Sequence, residues 1–265
     1  MAATHGDCVH AARVCWVVAT GELSMDADTA SELGRCTSCV IRRKGLCGAL
    51  KQDELLQFRR IANRRIYKPG ENILQSDDDP DFFAAVISGV VKLTKVLFDG
   101  RQQVVDLLLP IDCLGQVFGR RSSYYAQAAT EVELCCFPYA GFERMLDDFP
   151  DLKQSLLDQT LDELDSALDW MVLLGRKTAE ERVASLLLML ATRVSLDADD
   201  KDSTAAPQQT LDLHLKRQEI ADFLGLTYET VCRQFSLLMK QNLIQLPGRR
   251  RVIVPDIEAL ARAAS

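Results

Sequence analysis

The chain has 265 residues, 31 Lys and Arg against 38 Asp and Glu, a formal net charge of −7 and 48% hydrophobic residues. That size holds one large domain or two smaller ones, the apolar fraction excludes wholesale disorder, and no apolar run approaches the ~18 residues of a membrane span. Nine cysteines are too sparse for a disulfide scaffold, and an odd count with close pairs indicates thiol or metal chemistry in a cytoplasmic setting.

Residues 1–30 read as a mobile leader. Val14 to Ala19 is apolar, but no small-residue cleavage site follows it, and Met25 is an alternative start. Residues 31–50 form a loop with three thiols at Cys36-x2-Cys39-x7-Cys47. Three thiolates at short spacing with a fourth from afar suit a cubane iron–sulfur cluster or tetrahedral zinc. Spacing alone does not choose, because soft thiolates bind both. Plain reduced thiols or a redox-active dithiol are the remaining readings.

An amphipathic helix is predicted from Asp53 to Asn63, with Leu55, Leu56, Phe58 and Ile61 on its apolar side. Short β-rich runs follow at Phe82 to Ser88, Val90 to Leu97, Gln102 to Leu109 and Glu131 to Phe137. Asp99-Gly100 is a hairpin signal, since Gly accepts positive φ. Residues 51–150 are therefore expected to form an antiparallel β-roll of jelly-roll type. From 151 to 177 the period turns helical. Leu157, Leu161, Leu164, Leu168, Met171 and Leu174 recur at steps of four and three, a heptad seam suited to a homodimer, and small Ala167 eases close approach. Asp158, Asp162, Glu163, Asp165 and Asp169 lie on or beside that seam, where a parallel dimer brings each near its own copy. Residues 178–210 comprise a second helix capped by Thr178 and a polar linker from 195 to 210.

Residues 211–265 read as a winged helix-turn-helix. Ile220, Ala221 and Leu224 line the inside of a first helix, Gly225 permits the turn, and Thr227 caps a second helix. In that second helix Val231, Phe235 and Leu238 face inward, which leaves Glu229, Thr230, Cys232 and Arg233 on the face that enters a major groove. Arg donates two hydrogen bonds to guanine, and Glu accepts from cytosine. Arg249, Arg250 and Arg251 form the basic tip of a hairpin between Leu243–Leu246 and Val252–Val254. From His214 to Val254 seven Lys and Arg stand against three acids, a local +4 in an acidic chain, as phosphate binding on double-stranded DNA requires. No Ser-His-Asp set, P-loop or Rossmann glycine pattern is present, so an enzyme is not expected.

The roll with Asp99-Gly100, the block GRKTAEERVASLL at Gly175 to Leu187 and LGLTYETVCR at Leu224 to Arg233 resemble the cyclic-AMP receptor protein/fumarate-and-nitrate-reduction regulator (CRP/FNR) superfamily. The resemblance covers nearly the whole chain after residue 30. It implies an α+β architecture: an N-terminal β-roll sensor, a long dimerisation helix and a C-terminal winged helix-turn-helix. Glu229-Thr230-Val231-Cys232-Arg233 resembles the Glu-x-x-Ser-Arg reading set of the FNR branch, with Cys232 in place of Ser. That set implies a palindrome resembling TTGAT-N4-ATCAA and RNA polymerase as a partner.

The resemblance also bears on the signal. Phe118-Gly119-Arg120 and Ala126-Gln127-Ala128-Ala129 lack the acidic ribose ligand and the phosphate-binding Arg of the cyclic-nucleotide branch, so no cyclic nucleotide is expected. The FNR branch implies a [4Fe-4S] cluster on Cys36, Cys39, Cys47 and a fourth thiol in Leu134-Cys135-Cys136-Phe137-Pro138-Tyr139. Cys135 is assigned, with adjacent Cys136 as the alternate because neighbouring strand residues face opposite ways. Cys113 is expected to pack as a small buried thiol. The expected function is an oxygen-responsive transcription regulator. A clusterless relative controlled by abundance or cysteine redox state, or a structural-zinc regulator, is the alternative.

Overall fold

The computed structural model describes residues 34–77, 79–116, 121–197, 209–248 and 250–265. The leader, Cys8, Cys15, Phe118-Gly119-Arg120, most of the linker and Arg249 lie outside the described residues.

The sensor half is a roll of two four-stranded antiparallel sheets. One has the order β1 (Asn63–Tyr67), β8 (Val132–Pro138), β3 (Phe82–Ser88), β6 (Cys113–Leu114). The other has β2 (Asn72–Leu74), β7 (Tyr125–Ala128), β4 (Val91–Val96), β5 (Gln102–Leu108). Strands 3, 4, 5 and 8 match the predicted runs to within one residue. The others span only two to five residues and were not predicted.

β3 shows why the apolar run there is continuous. Phe82, Ala84 and Val86 point between the sheets with Leu134 and Cys136, whereas Phe83 and Ala85 point outward and are also buried. The outward side is roofed by α1 (Val40–Lys44), α2 (Gln52–Ile61) and α3 (Tyr139–Asp148). Phe58, Phe83, Phe137 and Phe142 form an aromatic cluster there, with Phe58 and Phe137 centroids 4.3 Å apart. At Gly89, φ is +87° and an added Cβ would lie 2.1 Å from the Glu131 carbonyl, so only glycine turns the chain between β3 and β4.

α4 runs from Pro150 to Arg176 and carries two apolar stripes. Leu152, Leu156, Trp170 and Leu173 pack on the chain's own body. Leu157, Leu161, Leu164, Leu168 and Met171 are each more than half exposed. Leu174, predicted as the end of the seam, instead packs half-buried against the core of the C-terminal unit.

The seam-side acids divide as well. Gln159 Nε2 donates to the Ile111 carbonyl at 3.2 Å. One turn on, Glu163 turns towards Asp112 and Asp106 of the roll and Arg193. It stays exposed to solvent but lies near enough to the roll's carboxylates to feel their charge. Burial, then Asp112 and Asp106, push the Glu163 carboxyl up to about 7, against 4.5 ordinarily. The folded protein thus holds this proton more tightly than the unfolded chain. Its contribution is full below about pH 4.5 and is lost as pH rises through about 7. Glu163→Gln is expected to flatten the fall in thermal midpoint between roughly pH 5 and pH 8 that the wild type shows.

α5 (Ala179–Asp197) begins where Thr178 Oγ1 accepts from the Glu181 N–H at 3.4 Å, the predicted cap, and Glu181 accepts in return from the Thr178 N–H at 2.6 Å. It extends past 195, so that the linker begins later than predicted. α6 (Arg217–Leu224), α7 (Tyr228–Lys240), α8 (Ile257–Ala263) and the ladder β9–β10 (Gln209–Asp212 with Arg251–Val254) complete the C-terminal unit. Its core is continuous with Val90, Val104 and Leu107 of the roll. Lys92 Nζ reaches Glu219 Oε1 at 2.7 Å, and Trp170 stacks on Phe223 at 4.3 Å.

Candidate cysteine site and nucleic-acid interface

Cys36 closes a 3-10 turn at Gly34–Cys36, Cys39 precedes α1, and Cys47 lies in a second 3-10 turn, Leu46–Ala49. The fourth thiol comes from the roll. Along β8 the side chains alternate: Cys136 is 1% exposed between the sheets, and Cys135 faces the helical roof. Opposite Cys135 in the ladders stand Arg64 of β1 and Ala85 of β3.

Cys36, Cys39, Cys47 and Cys135 together line one cavity of about 370 Å³. Its apolar wall is Ile41, Leu55, Phe58, Ala62 and Phe137, and its charged residues are Arg42, Arg59 and Arg64. Of the seven described cysteines, Cys113, Cys136 and Cys232 are outside it. Cys113 is half-buried at the α4 side, its Sγ 3.5 Å from Gln159 Oε1.

Burial raises the Cys47 thiol, with Cys135, Cys39 and Cys36 adding to it and Arg42 opposing. Burial, then Cys39 and Cys36, push Cys135 up to about 12. Cys36 is raised by burial and by Cys39, against Arg59 and Arg64. These thiols are close enough to feel one another's charge, and a metal group binding them must displace their protons. Among the described residues no three His, Cys, Asp or Glu close on a point that would hold one ion. Four thiols spread around a cavity fit a polynuclear group better than a single tetrahedral ion.

The second site is the exposed face of α7. Gly225 ends α6 with φ +62°, and Thr227 accepts from the Thr230 N–H to start α7. Val231, Phe235 and Leu238 are buried, Glu229 and Arg233 exposed, Thr230 and Cys232 half-buried. Thr230 Oγ1 lies 3.0 Å from Thr227 Oγ1, so its hydroxyl helps close the cap. Arg217 stacks over the Phe235 ring at 3.5 Å and, with Tyr228, neighbours Cys232. Hydrogen bonding to Cys232 raises the Tyr228 phenol.

The wing is built from three segments. Gln245 and Ile253 exchange both backbone hydrogen bonds at 2.8 Å, as the predicted hairpin requires. The longer ladder, however, pairs β10 with β9, a strand that the sequence reading did not predict and whose first two residues it left in the linker. Arg250 and Arg251 are exposed near the tip, with Arg251 Nε 3.8 Å from Asp212.

Sequence comparison adds the family. Residues 64–149 match the cyclic nucleotide-binding domain and residues 181–263 the Crp-like helix-turn-helix domain. The chain is 44% identical over 232 residues to the transcriptional activator protein FnrL of Cereibacter sphaeroides, covering 88% of this chain and 92% of that one. It is 27% identical over 233 residues to the fumarate and nitrate reduction regulatory protein of Vibrio cholerae, covering 86% and 90%. The solved structure of FixK2 from Bradyrhizobium japonicum superposes with a TM-score of 0.68 at 30% identity, over 77% of this chain and 98% of that one. No described helix is long and apolar enough to cross a membrane. The relatives are transcriptional regulators and not enzymes, and the chain belongs to the CRP/FNR family of DNA-binding transcription regulators.

Proposed function

We propose that this regulator responds to oxygen through a [4Fe-4S] cluster held by Cys36, Cys39, Cys47 and Cys135. As a dimer under low oxygen it would bind a palindrome resembling TTGAT-N4-ATCAA. The observation that carries the reading is that these four thiols, from three loop segments and a strand some ninety residues on, line one cavity. When bound, such a cluster supplies a redox centre that dioxygen can attack.

The chain's own residues connect the cavity to the helix. Leu46, Cys47 and Leu50 share a core with Leu152 and Leu156 of α4. The turn that positions Cys47 therefore rests on the root of the exposed seam, and displacing it disturbs α4 packing. A parallel pair of α4 helices would set two α7 helices on half-sites about one DNA turn apart. RNA polymerase would be the partner at the promoter. Absence of cyclic-nucleotide sensing is supported by β7, where Ala126 and Ala128 are buried in the roll and Gln127 Nε2 is spent on the Gly70 carbonyl and Asn72 Oδ1. A clusterless or zinc-bearing regulator is the rival reading.

Fluorescence anisotropy with a labelled palindrome under anoxia and after air tests the proposal. Binding should be tight anaerobically and lost in air, and equal binding in both would refute it. In the same assay Arg233→Ala is expected to weaken anaerobic binding by roughly 5- to 150-fold, the ~1–3 kcal/mol of a bidentate base contact. Cys232→Ser should bind within about twofold of wild type.

A further inference from the structure

Every charged side chain lining the cysteine cavity is an arginine: Arg42, Arg59 and Arg64. They come from three different elements, α1, α2 and β1, so no single helix face accounts for them. Their roles differ. Arg42 is tied into the loop, Nη1 donating to the Cys47 carbonyl at 2.6 Å and the Leu50 carbonyl at 2.7 Å. It braces the turn that carries Cys47. Arg59 and Arg64 are held at the rim. Arg64 stands opposite Cys135 in the β1–β8 ladder, and its Nη1 reaches Glu133 Oε1 at 2.7 Å. Glu133 is not in the cavity wall, so this pair presents its positive end inward. Arg59 acts on Cys36, and Arg64 on Cys36, Cys39 and Cys135.

We infer that Arg59 and Arg64 are the counter-charge of the thiolate-bound group and set how readily it gives up an electron to dioxygen, with the Arg64–Glu133 pair as the adjustable element. The inference rests on the cluster reading above. Four thiolates around a [4Fe-4S]²⁺ core leave a net negative group. Transfer of one electron to dioxygen, which becomes superoxide, makes that group one charge less negative. Nearby cations stabilise the more negative form, so they oppose the transfer. Removing one eases it. Removing the carboxylate that partly neutralises Arg64 does the reverse. Both groups sit at a partly solvated rim, so each effect is moderate.

The test uses full-length protein purified and kept anaerobically. Iron and sulfide per chain are measured first, then the decay of visible absorbance after mixing with air-saturated buffer. Arg64→Gln and Arg59→Gln should decay about three- to fivefold faster than wild type, a typical worth of a partly exposed charge pair. Arg64→Lys should stay within about twofold, and Glu133→Gln should decay more slowly. Exposed Arg60→Gln, on the same helix as Arg59, should match wild type. Circular dichroism and loaded iron content confirm that each variant folds and fills. If loaded Arg64→Gln decays no faster than wild type, or Glu133→Gln decays faster, the counter-charge role is wrong while the cluster reading stands. If wild type binds no iron, both fall.

Discussion

Serine at any one of Cys36, Cys39, Cys47 or Cys135 is expected to abolish iron binding and the anaerobic affinity for DNA. A hard serine oxygen replaces a soft thiolate poorly on iron, and a three-thiol remnant leaves one corner of the group without its ligand. Cys136→Ala should keep full iron content, because Cys136 is sealed between the sheets on the opposite face of β8. Its cost is a small cavity, about 1 kcal/mol of stability. Cys113→Ala should also retain iron, as should Ser at Cys8 or Cys15. Iron content of the anaerobically purified variants checks the set. A Cys135→Ser protein that still fills, beside a Cys136→Ala protein that does not, would invert the assignment.

The second large effect concerns α4. Leu161→Asp is expected to leave the protein monomeric and to weaken palindrome binding by at least about a hundredfold, since linking two binding modules raises avidity by ~10²–10⁴. Leu157, Leu161, Leu164, Leu168 and Met171 form a continuous apolar stripe that none of the described residues covers. Burying a Leu side chain is worth about 1.5–3 kcal/mol, and a carboxylate there would face its own copy in a symmetric pair. The acids along the seam's flanks, Asp158, Asp162, Glu163, Asp165 and Asp169, are all exposed. Their like-charge repulsion works against the apolar stripe and leaves the association responsive to small changes at the root of the helix. Sedimentation velocity of wild type and Leu161→Asp under anoxia decides. A dimeric variant would move the interface off the stripe.

The legible parts of the molecule were those written in local chemistry. The turn at Gly225, the cap at Thr227 and the inward Val231, Phe235 and Leu238 lie within fifteen residues, so periodicity and a φ > 0 position suffice to place Glu229 and Arg233 outward. Cys36, Cys39 and Cys47 are similarly close in sequence. The choice between Cys135 and Cys136 was open in the sequence because only strand pairing says which face of β8 meets the helical roof, and the partner that stands opposite Cys135, Arg64 of β1, lies seventy-one residues earlier. The inner stripe of α4 was hidden for a related reason: Leu152 and Leu156 belong to the core beneath the cysteine turns, and Trp170 and Leu173 to the core shared with the C-terminal unit. Glu163 reads as a seam acid until Asp106 and Asp112 are placed beside it. β9 was lost in a polar run, since its four residues pair only with β10. The arginines at the cavity rim carry no sequence signal at all, being ordinary basic residues on three elements that converge only in the fold.

Anaerobic purification of the wild-type chain followed by Mössbauer spectroscopy and iron and sulfide analysis tests the central claim most directly. The account predicts about four irons and four sulfides per chain, in the spectrum of a cubane cluster that is lost on exposure to air together with palindrome binding. A protein that contains zinc or no metal, and binds the palindrome equally well in air and under anoxia, would contradict it.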